Sequence, residues 1–310
     1  MKLKLNNVLL LNEINSQSMQ IDYLSHPSID KEKWDQAILS AGNGLLYACS
    51  WYLDCVAPAW DALVANDYEY VFPVTIKHKY KLPYIVQPFL AQQLGLFTSK
   101  PVSESLLQKF IAKLPSYSYE INLNYANPTR EGLEMPNLVV ELNRPYELIQ
   151  QAYSKNTLRN IAKAQKYQYI SKEVDSEVFL NIYHSEEHRD KKVNKSLISK
   201  VVRTGYDRGF IRCCVVTAQD GSPDAALAYG LFNQRISYLF PVSTERGKLQ
   251  SAMFLLVDEL IRRHTNEAHC FDFEGSMIEG IARFYKGFGA SEEPYRILKQ
   301  LRPSFLIGKI

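Results

Sequence analysis

The sequence predicts an α+β fold in two halves, each a mixed, mainly antiparallel sheet flanked by helices. Three observations lead there. The 310 residues are enough for about two domains of average size. Apolar periods of two and of 3.6 follow one another in blocks, separated by Gly, Pro, Asn and Asp. The block order of the second half recurs in the first, roughly 150 residues earlier, which reads as two copies of one architecture. A hydrophobic content of 46% with 22% charged residues is close to average for globular chains. It excludes a disordered tail, a fibrous repeat and a coiled coil.

In the second half, residues 194–208 are predicted helical, with Leu197, Ile198, Val201, Val202 and Tyr206 on one side and Gly209 at the end. Strands follow at 210–218, 225–232 and 235–242, joined by Asp220-Gly221-Ser222-Pro223 and by Asn233-Gln234. A helix over about 249–264 carries Ala252, Leu255, Leu256, Leu260 and Ile261 as its buried stripe. A strand at 269–274, a helix at 277–286 and a strand at 295–298 complete this half. The first half gives a hairpin of 61–65 and 68–77 about Asn66-Asp67, then a strand at 84–88. Its helix at 103–114 has Ser103 as the candidate cap. Strands at 118–125 and 138–142 end it. The boundary is placed at Asn143-Arg144-Pro145, giving domains 1–144 and 145–310; the second begins with a basic helical stretch over 146–168.

Lys and Arg number 36 against 33 Asp and Glu, a formal charge of +3, so any anion site must be local rather than spread over the surface. The 20 Tyr and 14 Phe suit the walls of a polar-lined cleft and ordinary domain surfaces alike. Near the N-terminus only Val8 to Leu11 run apolar, too short for a secretory signal, and no stretch approaches a bilayer span. A soluble, cytoplasmic protein is expected. Five cysteines with no C-x-x-C pair read as buried, reduced fillers, with the adjacent Cys213 and Cys214 on opposite faces of a strand.

Four groups of residues carry possible chemistry. Residues 243–251 lie between the third strand and the following helix, a place where backbone N–H groups can hold a pyrophosphate. There Arg246, Gly247 and Lys248 supply charge and a flexible backbone, and Leu249, Gln250 and Ser251 lead into the helix. The alternative is an ordinary polar turn. Asp272 and Glu274 share one face of a strand, where paired carboxylates can deprotonate an attacking ammonium. Alternatively Asp272 pairs with a structural arginine and Glu274 caps the helix at Ser276. Lys155, Arg159, Lys163 and Lys166 form one basic helical stripe, able to grip a diphosphate or a tRNA backbone, or simply to face solvent. Without interleaved aromatics the stripe does not indicate general nucleic-acid binding. His184-Ser-Glu-Glu-His188 spells H-x-x-E-H, but its surroundings do not suit a zinc peptidase, and no metal site is expected.

Three antiparallel strands, a helix opening after the third, then a strand and a helix form the layout of the GNAT acyltransferase fold. In that fold the third strand splays from its neighbour, and the loop after it takes the donor's pyrophosphate. The signature Q/R-x-x-G-x-G/A is met in part, with Leu249 and Ser251 in place of small residues. Phe271-Asp-Phe-Glu-Gly-Ser276 followed by Gly280-Ile-Ala-Arg-Phe-Tyr-Lys-Gly-Phe-Gly-Ala290 resembles the D-F-x-G … F-K-x-x-F-G signature of the Fem family. Pro83-Tyr-Ile-Val-Gln-Pro-Phe89, Gln92-Gln-Leu-Gly-Leu-Phe97, the stretch 51–60 from Trp to Trp, and Arg159 … Lys163 extend the likeness over nearly the whole chain.

Fem proteins, often labelled methicillin-resistance proteins, are tandem-GNAT enzymes that add amino acids to peptidoglycan precursors from aminoacyl-tRNA. The resemblance implies an acyl or aminoacyl transferase with no permanently bound cofactor. Its co-substrate would be acyl-CoA or aminoacyl-tRNA. Its partners would be an amine-bearing small molecule or a peptidoglycan-type precursor, with tRNA as a further candidate. Tyr285 stands where the family carries a lysine thought to be catalytic, and Lys286 falls one residue later. The candidate catalytic set is therefore Glu274, Asp272, Tyr285 and Lys286. A catalytically silent module that binds an envelope precursor is the competing reading.

Overall fold

A computed structural model describes residues 19–79, 82–116, 118–186, 194–275 and 277–300. The first half contains β1 (Ile21–Leu24), α1 (Lys31–Ser40), α2 (Ser50–Val56), β2 (Asp61–Ala65), β3 (Tyr70–Val74), β4 (Ile76–Lys79), β5 (Leu82–Val86) and β6 (Phe97–Thr98). It continues with α3 (Glu104–Ala112), β7 (Tyr119–Asn122), β8 (Leu133–Met135) and β9 (Leu138–Glu141). Then come α4 (Tyr146–Gln151), α5 (Lys155–Gln165), β10 (Ile170–Val174), α6 (Ser176–Ser185), α7 (Lys195–Asp207), β11 (Ile211–Thr217), β12 (Pro223–Phe232) and β13 (Arg235–Ser243). The chain closes with α8 (Glu245–Gln250), α9 (Ala252–His264), β14 (Cys270–Asp272), α10 (Glu279–Gly287), β15 (Ser291–Glu292) and β16 (Tyr295–Gln300).

The mixed α+β class and the mainly antiparallel pairing are as the sequence predicts. Three sheets form, in the orders β1-β2-β3-β6, β4-β5-β7-β16-β8 and β10-β11-β12-β13-β14-β9-β15. The single strand expected over 68–77 divides at Thr75, whose hydroxyl donates to the carbonyl of Val86 at 2.6 Å, so one run of chain feeds two sheets. The helix expected over 146–168 also divides. Ser154 caps α5 by accepting from Thr157 N–H at 3.1 Å, and its own N–H bonds to Gly287.

Two strands cross the boundary placed at Arg144. β9 lies between β14 and β15 in the seven-stranded sheet, and β16 lies between β7 and β8 in the five-stranded one. Each half therefore completes a sheet of the other. One core cluster also joins them, holding Trp34, Tyr52 and Trp60 together with Phe179, Val202 and Ala228. Cys213 belongs to that cluster and Cys214 to the one on the opposite face of the sheet, while all five cysteines are free. Among the described residues no helix is long and apolar enough to cross a membrane.

Candidate active site

β12 and β13 run antiparallel until a bulge, where Tyr229 faces Tyr238 and Ala228 faces Phe240, leaving Leu239 as the extra residue. A bulge increases local twist. On its other side β13 pairs in parallel with β14 only over Arg235, Ser237 and the residue between them. Beyond that the two strands part, and a cleft of about 370 Å³ opens between β13, the start of α9 and α10. Tyr238, Pro241 and Ser243 line it from β13, Lys248, Ser251, Met253 and Phe254 from α8 and α9, and Ile281, Phe284 and Tyr285 from α10.

The segment expected as a donor loop is largely helical. Thr244 caps α8, its hydroxyl accepting from Gly247 N–H at 2.9 Å, so that donor is already used. Gly247 fits because it has no side chain: a Cβ there would meet the carbonyl oxygen of Asp224 at 1.9 Å. Ser251 takes a left-handed conformation, φ +64°, and breaks the run before α9 begins. Of the expected donor residues, Gly247, Lys248 and Ser251 face the cleft. Arg246 turns away to Asp224, with Nε 2.9 Å from both carboxylate oxygens. Gln250 accepts from Tyr169 at 2.6 Å, and Leu249 is exposed, its carbonyl accepting from Lys163 Nζ at 2.6 Å.

Asp224 was not among the sequence candidates. Buried at the start of β12, it accepts from Tyr169, Thr244 and Arg246 together and so fixes α8 to the sheet. A turn motif such as Gly221-Ser222-Pro223-Asp224 gives no local sign of that role.

Glu274 and Asp272 divide in environment. Asp272 is buried and accepts from Arg235 Nη1 at 2.5 Å and from the N–H of Glu274 at 2.8 Å. Arg235 also bonds both oxygens of Glu293, at 2.9 and 2.8 Å, and lies 4.8 Å from the ring of Tyr125. Glu274 is partly buried at φ +66°, followed by Gly275 at φ +82°. Burial pushes the Glu274 carboxyl up to about 8. Its nearness raises the hydroxyls of Tyr285 and Tyr295 above their ordinary range, adding to the larger effect of their burial.

Tyr285 stacks on Phe273 at 4.6 Å and meets Tyr238 edge to face at 5.8 Å. Lys286, one residue on, points to the surface and pairs with Glu292 at 2.9 Å. The basic stripe lies along exposed positions of α5: Arg159 donates to Asn156, and Asn160 accepts from Ser251, which brings α5 beside the break before α9. Lys155 is exposed near the N-terminus of α5. In the H-x-x-E-H run, Glu187 and His188 lie outside the described residues, and His184 is within hydrogen-bond distance of Ser199, at 3.0 Å. Ser276, the proposed helix start, also lies outside them. Among the described residues no group of three His, Cys, Asp or Glu is placed to hold a metal ion.

No protein-family model and no curated protein matches the sequence. Solved structures do match the fold. FemX superposes with a TM-score of 0.65 at 11% identity, covering 93% of this chain and 99% of that one. A conserved protein of unknown function from Bacteroides thetaiotaomicron gives 0.57 at 10% identity, over 87% and 96% of the two chains. The C-terminal domain of a putative lysylphosphatidylglycerol synthetase from Agrobacterium fabrum gives 0.54 at 10% identity, over 87% and 91%. Together with the splayed strands and the helix that follows them, these likenesses show that the chain has a Fem-like fold of the GNAT type.

Proposed function

We propose that the protein transfers an acyl or aminoacyl group from a carrier to an amine at the cleft between β13 and α10. One observation carries this reading. The parting of β13 from β14 sets Ser251 and Lys248 on one wall and Tyr285 on another, with Glu274 at the end of the splayed strand. An open strand edge can pair with the amide groups of an extended donor arm, and the parting lies at the carboxyl ends of β13 and β14, the one parallel pair in this sheet among the described residues.

In this reading Glu274 takes a proton from the acceptor ammonium, and the freed amine nitrogen bonds to the donor carbonyl carbon. The carbonyl π electrons move to oxygen, then return as the bond to the carrier's sulfur or oxygen breaks. Tyr285, kept protonated by its buried setting, gives its phenolic proton to that departing atom and takes one back from the now cationic nitrogen, which leaves a neutral amide, a free thiol or hydroxyl and a protonated Glu274. Asp272 and Arg235 hold the backbone of Glu274 in place. Lys163 and Arg159, beside the break before α9, contact phosphates of the donor or of the acceptor. The name of one structural neighbour, a putative lysylphosphatidylglycerol synthetase, fits aminoacyl transfer to an envelope component; an amine as that acceptor and a cytoplasmic site of action belong to the same proposal.

A thiol-release assay with acyl-CoA and an amine panel, run beside aminoacyl-tRNA with the same acceptors, tests this reading. Turnover with one donor class supports it; ligand-induced stabilisation without turnover favours the silent binding module. The engagement of Lys286 by Glu292 at the surface is the observation on that module's side.

A further inference from the structure

Besides Tyr285, Lys248 and two serines, the cleft is walled by Tyr238, Pro241, Met253, Phe254, Ile281 and Phe284. Exposed apolar side chains adjoin the cleft residues along the chain. Leu249 is 72% exposed, and Met277 and Ile278 are 75% and 64% exposed. These are three of the four most exposed large apolar side chains among the described residues. Leu249 follows the cleft residue Lys248, and Met277 and Ile278 precede the cleft residues Gly280 and Ile281, so the two segments that carry them adjoin the cleft. Single exposed apolar residues need no explanation, whereas a set continuous with an apolar cleft marks a ligand surface.

Charge narrows the ligand. The residues lining the cleft include one cation, Lys248, which is paired with Glu245, and Glu274, the proposed base, stands near Tyr285 rather than among them. The α-ammonium of an aminoacyl ester would lie against Met253, Phe254 and Phe284 with no carboxylate among the lining residues, an unfavourable burial. Lys248 and Lys163, at the edge, instead suit a phosphorylated carrier.

We propose that the cleft binds the linear apolar chain of a fatty acyl thioester. The thioester carbonyl lies at Tyr285, and the distal methylenes pass out between Leu249 and the Met277-Ile278 pair. This rests on the acyl-transfer reading above and names the class of its donor. A second copy of the chain or a lipid bilayer would cover the rim without filling the cleft.

The test is calorimetry with acetyl-, butyryl-, octanoyl- and palmitoyl-CoA, each below its micellar concentration, on the full chain. Affinity is expected to rise about fourfold for each methylene that enters the cleft, and less for each beyond the opening. Ile281→Asp, on the partly exposed face of α10, should remove most of that gain, so that octanoyl-CoA binds little better than acetyl-CoA. Leu249→Ser should weaken only the palmitoyl arm, by about threefold. An unchanged melting temperature shows that each variant is folded. Equal affinity across the series overturns the proposal and leaves acyl transfer from CoA standing. Turnover with aminoacyl-tRNA and no binding of any acyl-CoA also overturns it. Turnover with neither donor overturns the transferase reading itself. Sedimentation with phosphatidylglycerol vesicles, without chain-length dependence in calorimetry, would assign the rim to a membrane surface and contradict the proposal.

Discussion

Glu274 holds a left-handed backbone conformation, φ +66°, that a residue with a side chain adopts only when its surroundings enforce it. The enforcement is visible: its N–H is held by Asp272, which Arg235 holds in turn, and a Cβ on the next residue, Gly275, would meet the carbonyl oxygen of Pro136 at 2.2 Å. Burial raises the carboxyl from its ordinary 4.5 to about 8, so the folded protein keeps a proton that the unfolded chain has lost. Stability therefore falls as pH rises from about 4.5 to about 8, and levels off above that. Glu274→Gln should melt higher than the parent at pH 9 and show a smaller gain at pH 5; a pH-independent difference contradicts the assignment. The same ionisation should make kcat/KM rise through pH 8 in the parent, since only the carboxylate can accept a proton. At this scale the sequence was legible in part. Alternation placed Asp272 and Glu274 on one strand face, but the partner that separates their roles, Arg235, lies 37 residues away in sequence.

The break between α8 and α9 governs the cleft wall. Periodicity alone shows one helix from Leu249 onward, because Ala252, Leu255 and Leu256 continue the stripe without interruption. It cannot register a left-handed residue whose side chain is small and polar. In the structure Thr244 and Ser251 set the two ends of α8, and Asp224 anchors it. Thr244→Ala should cost about 1 kcal/mol in chemical denaturation, the usual loss for a helix cap. Ser251→Gly should change stability by less than about 1 kcal/mol, since glycine accepts this conformation freely while the bond from the serine hydroxyl to Asn160 is lost. Gly247→Val should destabilise the fold, because its side chain has no room beside Asp224. A Gly247 variant that folds normally would mean that α8 does not lie on β12 as described. The predicted helices α3, α7 and α9 were readable because each has a continuous apolar face; α4 and α5 were read as one because Ser154 acts as a cap only through its bond to Thr157.

Across the whole molecule, β9 and β16 are exchanged between the halves. The strand pattern of each was readable, as residues 138–142 and 295–298. Which sheet receives a strand depends on pairings with segments more than 100 residues distant, and no local period encodes that choice. The exchange also explains how a cleft at the end of β14 is held: Phe273 N–H bonds to Leu138 from the first half, and Glu293 N–H to Asn137. Fragments 1–144 and 145–310 expressed separately should each lack a cooperative thermal transition, and should regain one when combined. A sharp two-state melt from either fragment alone would show that the exchanged strands are dispensable.

The central claim is that Tyr285 gives a proton to the leaving group in this cleft. The most direct measurement is single-turnover acyl transfer by the parent and by Tyr285→Phe, which keeps the stacking on Phe273 and removes only the hydroxyl. The predicted result is a rate lower by about 10²-fold with an unchanged melting temperature, while Lys286→Met stays within a few-fold of the parent. Equal rates for the parent and Tyr285→Phe would contradict the claim, as would a comparable loss in Lys286→Met alone.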